Sequence, residues 1–258
     1  MLILLSPAKT LDLTPVDTPV DTPASQPRLL EDTTELAELL RQRSPTELSE
    51  LMSISAPLAE LNYTRYQEFR LPLDAATNAK PALLAFRGDV YRDLAADDFT
   101  ERELDFADRQ IRMLSGLYGL LRPRDLMAPY RLEMGTKLAN SRGKNLYTFW
   151  GDRLTDLLNK DLAQDDSALV LNLASQEYFR SLQPERIAGR VLTVHFKELR
   201  KGQYRVVTFN AKRARGRLAR LITLEGITTA DPLRDLTVND YVYNDRLSTA
   251  DDWVFTKD

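Results

Sequence analysis

Residues 111–134 read IRMLSGLYGLLRPRDLMAPYRLEM, and the chain is interpreted outward from this stretch. Leu104, Ala107, Ile111 and Leu114 recur at helical spacing, which predicts a helix with one buried stripe running into it. Thr100 followed three residues later by Glu103 marks the start of that helix as a capping box. Ser115-Gly116-Leu117-Tyr118-Gly119 then breaks the period. Glycine takes positive φ at no steric cost, so two glycines in four residues suit a tight turn with exposed amides. Pro123 fits the first turn of a second short helix, where its missing N–H loses nothing. Helix, glycine turn, helix over residues 101–128 is an arrangement that can hold a phosphate on backbone N–H groups. The amides are those of Gly116, Leu117, Tyr118 and Gly119, with Arg112, Arg122 and Arg124 adding charge. The same glycines equally suit a plain packing turn. They stand three apart, where helix-hairpin-helix turns that bind DNA space them two apart.

The 258 residues are enough for a sizeable core, and 43% hydrophobic with 28% charged residues is the composition of an ordinary globular protein. The opening MLILL is far too short for a membrane span and lacks the basic start and cleavage site of a signal peptide. A cytoplasmic protein without a membrane anchor is expected. The absence of cysteine excludes a thiol peroxidase, a disulfide sensor and any cysteine-ligated cluster. A single histidine, His195, leaves no histidine-rich metal site, so neither metal nor cofactor is expected.

Net charge is −3, but it is unevenly spread. Residues 197–220 hold nine Lys/Arg against the one acid Glu198, a local +8, while the rest carries 26 basic and 37 acidic residues, or −11. A positive stripe on an acidic body can bind phosphates at one face while the protein stays soluble. Residues 191–196 and 204–209 read as a β-hairpin, followed by a helix over 211–225. That helix places Arg213, Arg217 and Arg220 at i, i+4 and i+7, with no acid among them for balance.

Elsewhere the chain alternates strands and helices. Residues 1–5, 82–86 and 168–173 read as buried strands, and Lys9 and Arg87-Gly88-Asp89 follow strand ends, where α/β sheets carry ligands. Residues 12–27, DLTPVDTPVDTPASQP, read as an extended surface loop. Helices are expected from Leu29 to Arg43, onward to Ile54 and to Phe69, and over 148–162. Tyr130 to Met134 alternates like a strand, with Arg131 and Glu133 on one face. The fold class is therefore α/β: one compact body over 1–258, a mixed central sheet flanked by helices, with a helix-hairpin-helix-like element and a basic cleft.

SPAKT (6–10), FRGDVY (86–91), SGLYG (115–119), PYRLEM (129–134), NLYTFWGD (145–152), NLASQEYF (172–179) and AKRARG (211–216) run in order along the chain. This ordered set resembles the YaaA family of bacterial peroxide-stress proteins. The resemblance implies a cytoplasmic protein that limits iron-driven oxidative damage, with a positively charged cleft and a DNA-binding helix-hairpin-helix-like element. It brings no accepted enzymatic reaction. The expected partner is duplex DNA, bulged or damaged, bound by a monomer. Phosphates are expected on the glycine-turn amides and its three arginines, and on Lys9, Arg87, Arg131, Lys212, Arg213, Arg215, Arg217 and Arg220. No recognition-helix pattern aims Asn, Gln and Arg at base edges, so shape is read instead of sequence. The rival is an enzyme of glycosylase or lyase type, with Lys9 as nucleophile and Asp89 or Glu133 assisting.

Overall fold

The computed structural model describes residues 1–14 and 24–258. Leu2–Leu5 forms β1, buried at all four positions. Side chains alternate across a strand, so burial at every position means that both faces of the sheet are covered. Thr10–Leu11 (β2) follows, then the helices Leu30–Arg41 (α1), Pro45–Met52 (α2) and Ala56–Glu68 (α3). Ser44 and Glu47 cap α2 reciprocally, which fixes where it starts. Lys80–Pro81 (β3) runs into the single turn Ala82–Ala85 (α4), and Phe86–Arg87 (β4) pairs antiparallel with β2. Asp89–Leu94 (α5) and Glu101–Gln110 (α6) come next. The expected box of Thr100 and Glu103 is present at the start of α6.

Ile111–Ser115 (β5), Gly119–Leu121 (β6) and Leu126–Met127 (β7) precede the helices Leu146–Trp150 (α7) and Arg153–Leu162 (α8). The remainder comprises Leu169–Asn172 (β8), Gln176–Phe179 (α9), Arg190–Arg200 (β9), Gln203–Arg205 (β10), Thr208–Glu225 (α10), Val242–Tyr243 (β11) and Asp252–Lys257 (β12).

The central sheet is mixed and eight-stranded, in the order β11-β12-β9-β8-β1-β5-β6, with β10 paired to β9. Its five middle strands are parallel; β6, β10 and β11 join antiparallel. From β1 the chain goes to β5 on one side, then returns across β1 to β8, β9 and β12 on the other. That reversal puts a topological switch point between β1 and β8, and ligands of open α/β sheets bind in the crevice beyond the carboxyl ends of the strands at such a point. The result is a single compact α/β body.

The central expectation from sequence is corrected here. α6 stops at Gln110, and Ile111–Ser115 is a strand parallel to β1, turning through SGLYG into antiparallel β6. No second helix follows Pro123, so residues 101–128 are helix, hairpin and a short strand, not a helix-hairpin-helix. Ile111 and Leu114 fit a helical stripe by spacing, but burial of all five residues from 111 to 115 is the signature of a central strand. Ala82–Ala85 fails in the other direction: a four-residue apolar run expected as strand is one helical turn beginning after Pro81. Residues 130–134 are extended but pair with no strand among the described residues. The expected helix over 148–162 is split into α7 and α8 at Gly151, whose φ is +48°. Residues 15–23 of the loop expected at 12–27 lie outside the described residues. β1, β8 and α1, α2 and α3 stand where the sequence places them; the hairpin is present, but its second strand is only Gln203–Arg205, because α10 already begins at Thr208.

Candidate functional site

The switch point is occupied by side chains from three elements. Ser6, immediately after β1, accepts a hydrogen bond at Oγ from the Ser175 N–H (2.8 Å) and lies 3.3 Å from Ser175 Oγ. The Tyr91 hydroxyl donates to the Ser6 carbonyl (2.8 Å), tying α5 to the same point. Past Ser6, Lys9 Nζ lies 2.7 Å from Glu133 Oε2, and Arg131 Nη2 lies 3.1 Å from Glu133 Oε1. The Lys9 side chain is 61% exposed, so its ammonium remains open to solvent on one side. Glu177, in α9, accepts from the Gly135 N–H at 2.9 Å.

Arg87-Gly88-Asp89 abuts this group. A Cβ built on Gly88 would lie 3.2 Å from the Ala8 methyl, and its φ of +148° also favours glycine. Arg87 is paired with Asp12 (3.3 Å) and Asp97 (3.0 Å). Hydrogen bonds from Thr14 above all, helped by Lys80 and Arg87, hold the Asp12 carboxyl down at about 2. Asp89 opens α5 beside Gly88. Of the sequence-predicted residues, Lys9, Arg131 and Glu133 thus meet beyond β1, while Arg87, backbone-paired with Thr10, turns its guanidinium to Asp12 and Asp97.

α10 reaches the same edge through Asn210, whose amide donates to Glu198 Oε1 (2.6 Å) near the carboxyl end of β9. It crosses α5 at backbone contact: a Cβ on Gly216 would lie 1.8 Å from the Val90 carbonyl oxygen. The arginine stripe faces this crossing. Arg213 Nε pairs with Asp93 (3.0 Å), and Arg220 donates to the carbonyls of Leu94 (3.0 Å) and Ala95 (2.6 Å) with Asp98 at 3.6 Å. Arg217 shares their shallow concavity with Arg92 and Asp240. The acids missing from the arginine stripe itself are supplied by α5 and the segment after it. Residues on a helix turn by about 100° each, so Lys212 and Arg215 lie on a different side from Arg213 and Arg217.

The glycine turn does not join the site. Residues 115–121 are buried throughout, with Leu117 and Tyr118 at 0% exposure. The Tyr118 N–H donates to Ser115 Oγ (3.0 Å), Ser115 Oγ is 2.7 Å from the Tyr130 hydroxyl, and Trp150 Nε1 donates to the Gly116 carbonyl (3.1 Å). The turn lies under PYRLEM and supports Arg131 and Glu133 from below, since a Cβ on Gly116 would sit 2.2 Å from the Leu132 carbonyl oxygen. The three flanking arginines are engaged elsewhere: Arg112 with Asp161 (2.5 Å), Arg122 with Asp125 (2.9 Å), and Arg124 with Glu101 and Asp105 (2.7 and 2.8 Å). Sequence reasoning passed over Ser6, Tyr91 and Glu177. Ser6 was findable as the first polar residue after a buried strand; Tyr91 and Glu177 carry no local signal.

A mixed-sheet α/β protein with paired cations and carboxylates beyond the carboxyl end of its first strand is the class defined by this geometry. The chain belongs to the YaaA family: residues 1–247 match the family described as peroxide stress protein YaaA. It is similar to the UPF0246 protein of Cellvibrio japonicus, 48% identical over 259 residues covering 100% of this chain and 99% of that one. It is also similar to those of Tolumonas auensis, at 49% over 258 residues (100% and 98%), and Teredinibacter turnerae, at 47% over 258 residues (100% and 99%). Among the described residues no helix is long and apolar enough to cross a membrane.

Proposed function

We propose that this peroxide-stress protein acts in the cytoplasm by binding DNA through its phosphates, by shape and not by sequence, at the switch-point cleft. The observation that carries the reading is the sharing of one carboxylate, Glu133, by Lys9 and Arg131, with Arg87 on the strand paired to β2 held by Asp12. The side of α10 bearing Lys212 and Arg215 extends it. Each of the three cations is held by a carboxylate, an exchangeable arrangement: a phosphate oxygen takes the place of Glu133 or Asp12, and the contact weakens with salt. Phosphate oxygens are also hard ligands for Fe(II), so a protein seated on them limits iron-driven oxidation at the backbone it covers. A kinked, bulged or abasic duplex presents phosphates to a cleft more readily than a straight one.

The test is a gel-shift panel of single-stranded, duplex, bulged and abasic DNA, comparing wild type with Lys9→Glu/Lys212→Glu. The charge-reversed protein is expected to lose at least tenfold in affinity. Equal affinity of the two proteins for every DNA sinks the reading.

A second reading rests on Lys9 Nζ lying 2.7 Å from Glu133 Oε2, an amine beside a carboxylate in a cleft. Under it Lys9 gives its proton to Glu133 and the free amine adds to the C1′ aldehyde of a ring-opened abasic sugar, whose oxygen leaves as water to give a Schiff base. Borohydride trapping of an abasic duplex on the wild type but not on Lys9→Ala is its expected signature; no trapped species on the wild type removes it.

A further inference from the structure

A cavity of about 690 Å³ lies between α3, the segment 75–81, α4 and the segment 123–129, and its lining includes none of Ser6, Lys9, Arg131, Glu133 and Ser175. That volume is in the range of small-molecule sites. Phe69, Leu83 and Leu84 give it a buried apolar floor. Among the described residues its charged lining is predominantly cationic: Arg65, Arg70 and Lys80 stand against Glu68, and Arg124 is already engaged by Glu101 and Asp105.

Lys80 is the anomaly in this cavity. Only 7% of its side chain is exposed, yet among the described residues its nearest carboxylate, Asp12, is 4.0 Å away, beyond hydrogen-bond reach. Asp12 is itself occupied by the Thr14 N–H (2.9 Å) and Arg87. Burial holds the Lys80 pKa below the usual lysine range, with Asp12 opposing it. Arg65 likewise has no carboxylate partner among the described residues; its hydrogen bond is to Asn62 Oδ1 at 3.3 Å. A buried cation without a hydrogen-bonded counterion carries an uncompensated desolvation cost, and an anion delivered to it relieves that cost.

We propose that this cavity binds a small organic carboxylate, its head on Lys80 and its apolar chain or ring on the Phe69, Leu83 and Leu84 floor. A carboxylate matches the site better than a phosphate because one deeply buried ammonium balances one negative charge, and an apolar floor needs an apolar body. The inference does not rest on the nucleic-acid reading, although the two sites adjoin at Asp12, which pairs with Arg87 and stands 4.0 Å from Lys80.

The test is calorimetric titration of the full chain with 4-phenylbutyrate, its neutral amide, and inorganic phosphate. The carboxylate is expected to bind at least tenfold more tightly than the amide, and phosphate is expected neither to bind there nor to displace it. Lys80→Met is expected to bring the carboxylate down to the affinity of the amide, and Lys80→Arg to keep most of the difference. Equal affinity for carboxylate and amide, displacement by phosphate, or undiminished binding by a folded Lys80→Met protein overturns the proposal. Should Lys80→Met fail to fold, Leu84→Trp decides: it fills the floor, so unchanged carboxylate binding overturns the proposal and its loss supports it.

Discussion

Gly116 and Gly216 show how single residues set this site. Each lacks a Cβ where a carbonyl oxygen lies within 2.2 Å of the position it would take, Leu132 in one case and Val90 in the other. Gly216→Ala is therefore expected to push α10 off α5. The cost should fall in the range of about 1–3 kcal/mol typical of overpacked sites, read as a lower urea midpoint at unchanged slope. An unchanged midpoint means the two helices separate without cost. Asp161 is the other decisive residue. It joins Arg28 (2.6 Å) to buried Arg112 (2.5 Å), so Asp161→Asn strands a buried guanidinium and is expected to cost about 3–5 kcal/mol in denaturant unfolding. A loss below about 1 kcal/mol would show that Arg112 is held by its carbonyl contacts alone.

At the scale of elements, α10 has two working sides. The one carrying Arg213 and Arg220 is a docking surface: its cations are held by Asp93, Asp98 and two carbonyls. Charge reversal at Arg213 is accordingly expected to lower the melting temperature by several degrees, because it sets two carboxylates against each other at the α5 contact. Reversal at Lys212, which is exposed, is expected to leave melting unchanged and weaken DNA binding. The reverse pattern, stability lost at Lys212 and binding lost at Arg213 alone, would move the interface to the arginine stripe. The hairpin from β5 to β6 works differently: it is a buried support under Arg131 and Glu133, not a surface that meets a ligand.

For the molecule as a whole, acid and salt are the informative variables. Burial raises the Asp161 pKa, but hydrogen bonds and charge from Arg28 and Arg112 outweigh it, so the folded value lies below the ordinary carboxyl value of 3.8. A group depressed in the folded state stabilises above its unfolded pKa, and that contribution disappears as pH falls through the folded value. Stability is expected to fall as pH drops below 3.8, with a shallower fall in Asp161→Asn; parallel curves for the two proteins rule Asp161 out as a cause. If Lys9, Arg87 and Arg131 each meet a phosphate, the logarithm of DNA affinity should fall against the logarithm of salt with a slope near −2.7, about −0.9 for each contact. A slope near zero is incompatible with phosphate binding at this cleft.

Local chemistry alone determined much of this protein. The apolar runs at 2–5 and 169–172 are strands because nothing in them can face water, and Ser44 with Glu47 and Thr100 with Glu103 start helices by satisfying free amides nearby in sequence. Lys9 was legible as a candidate because it follows the end of β1; Arg87 was a candidate on the same reasoning, but it lies within β4. Tertiary structure decided the rest. Ile111 to Ser115 has a helical spacing of apolar residues, and only the open edge of β1 makes it a strand. The SGLYG amides looked available until PYRLEM and Trp150 covered them, and the arginine stripe looked free until α5 brought carboxylates from some 120 residues away. Hydrogen bonds to neighbours and apolar periodicity are short-range and visible in a sequence. Burial and charge pairing depend on which distant segment arrives, and that is settled only when the sheet is assembled.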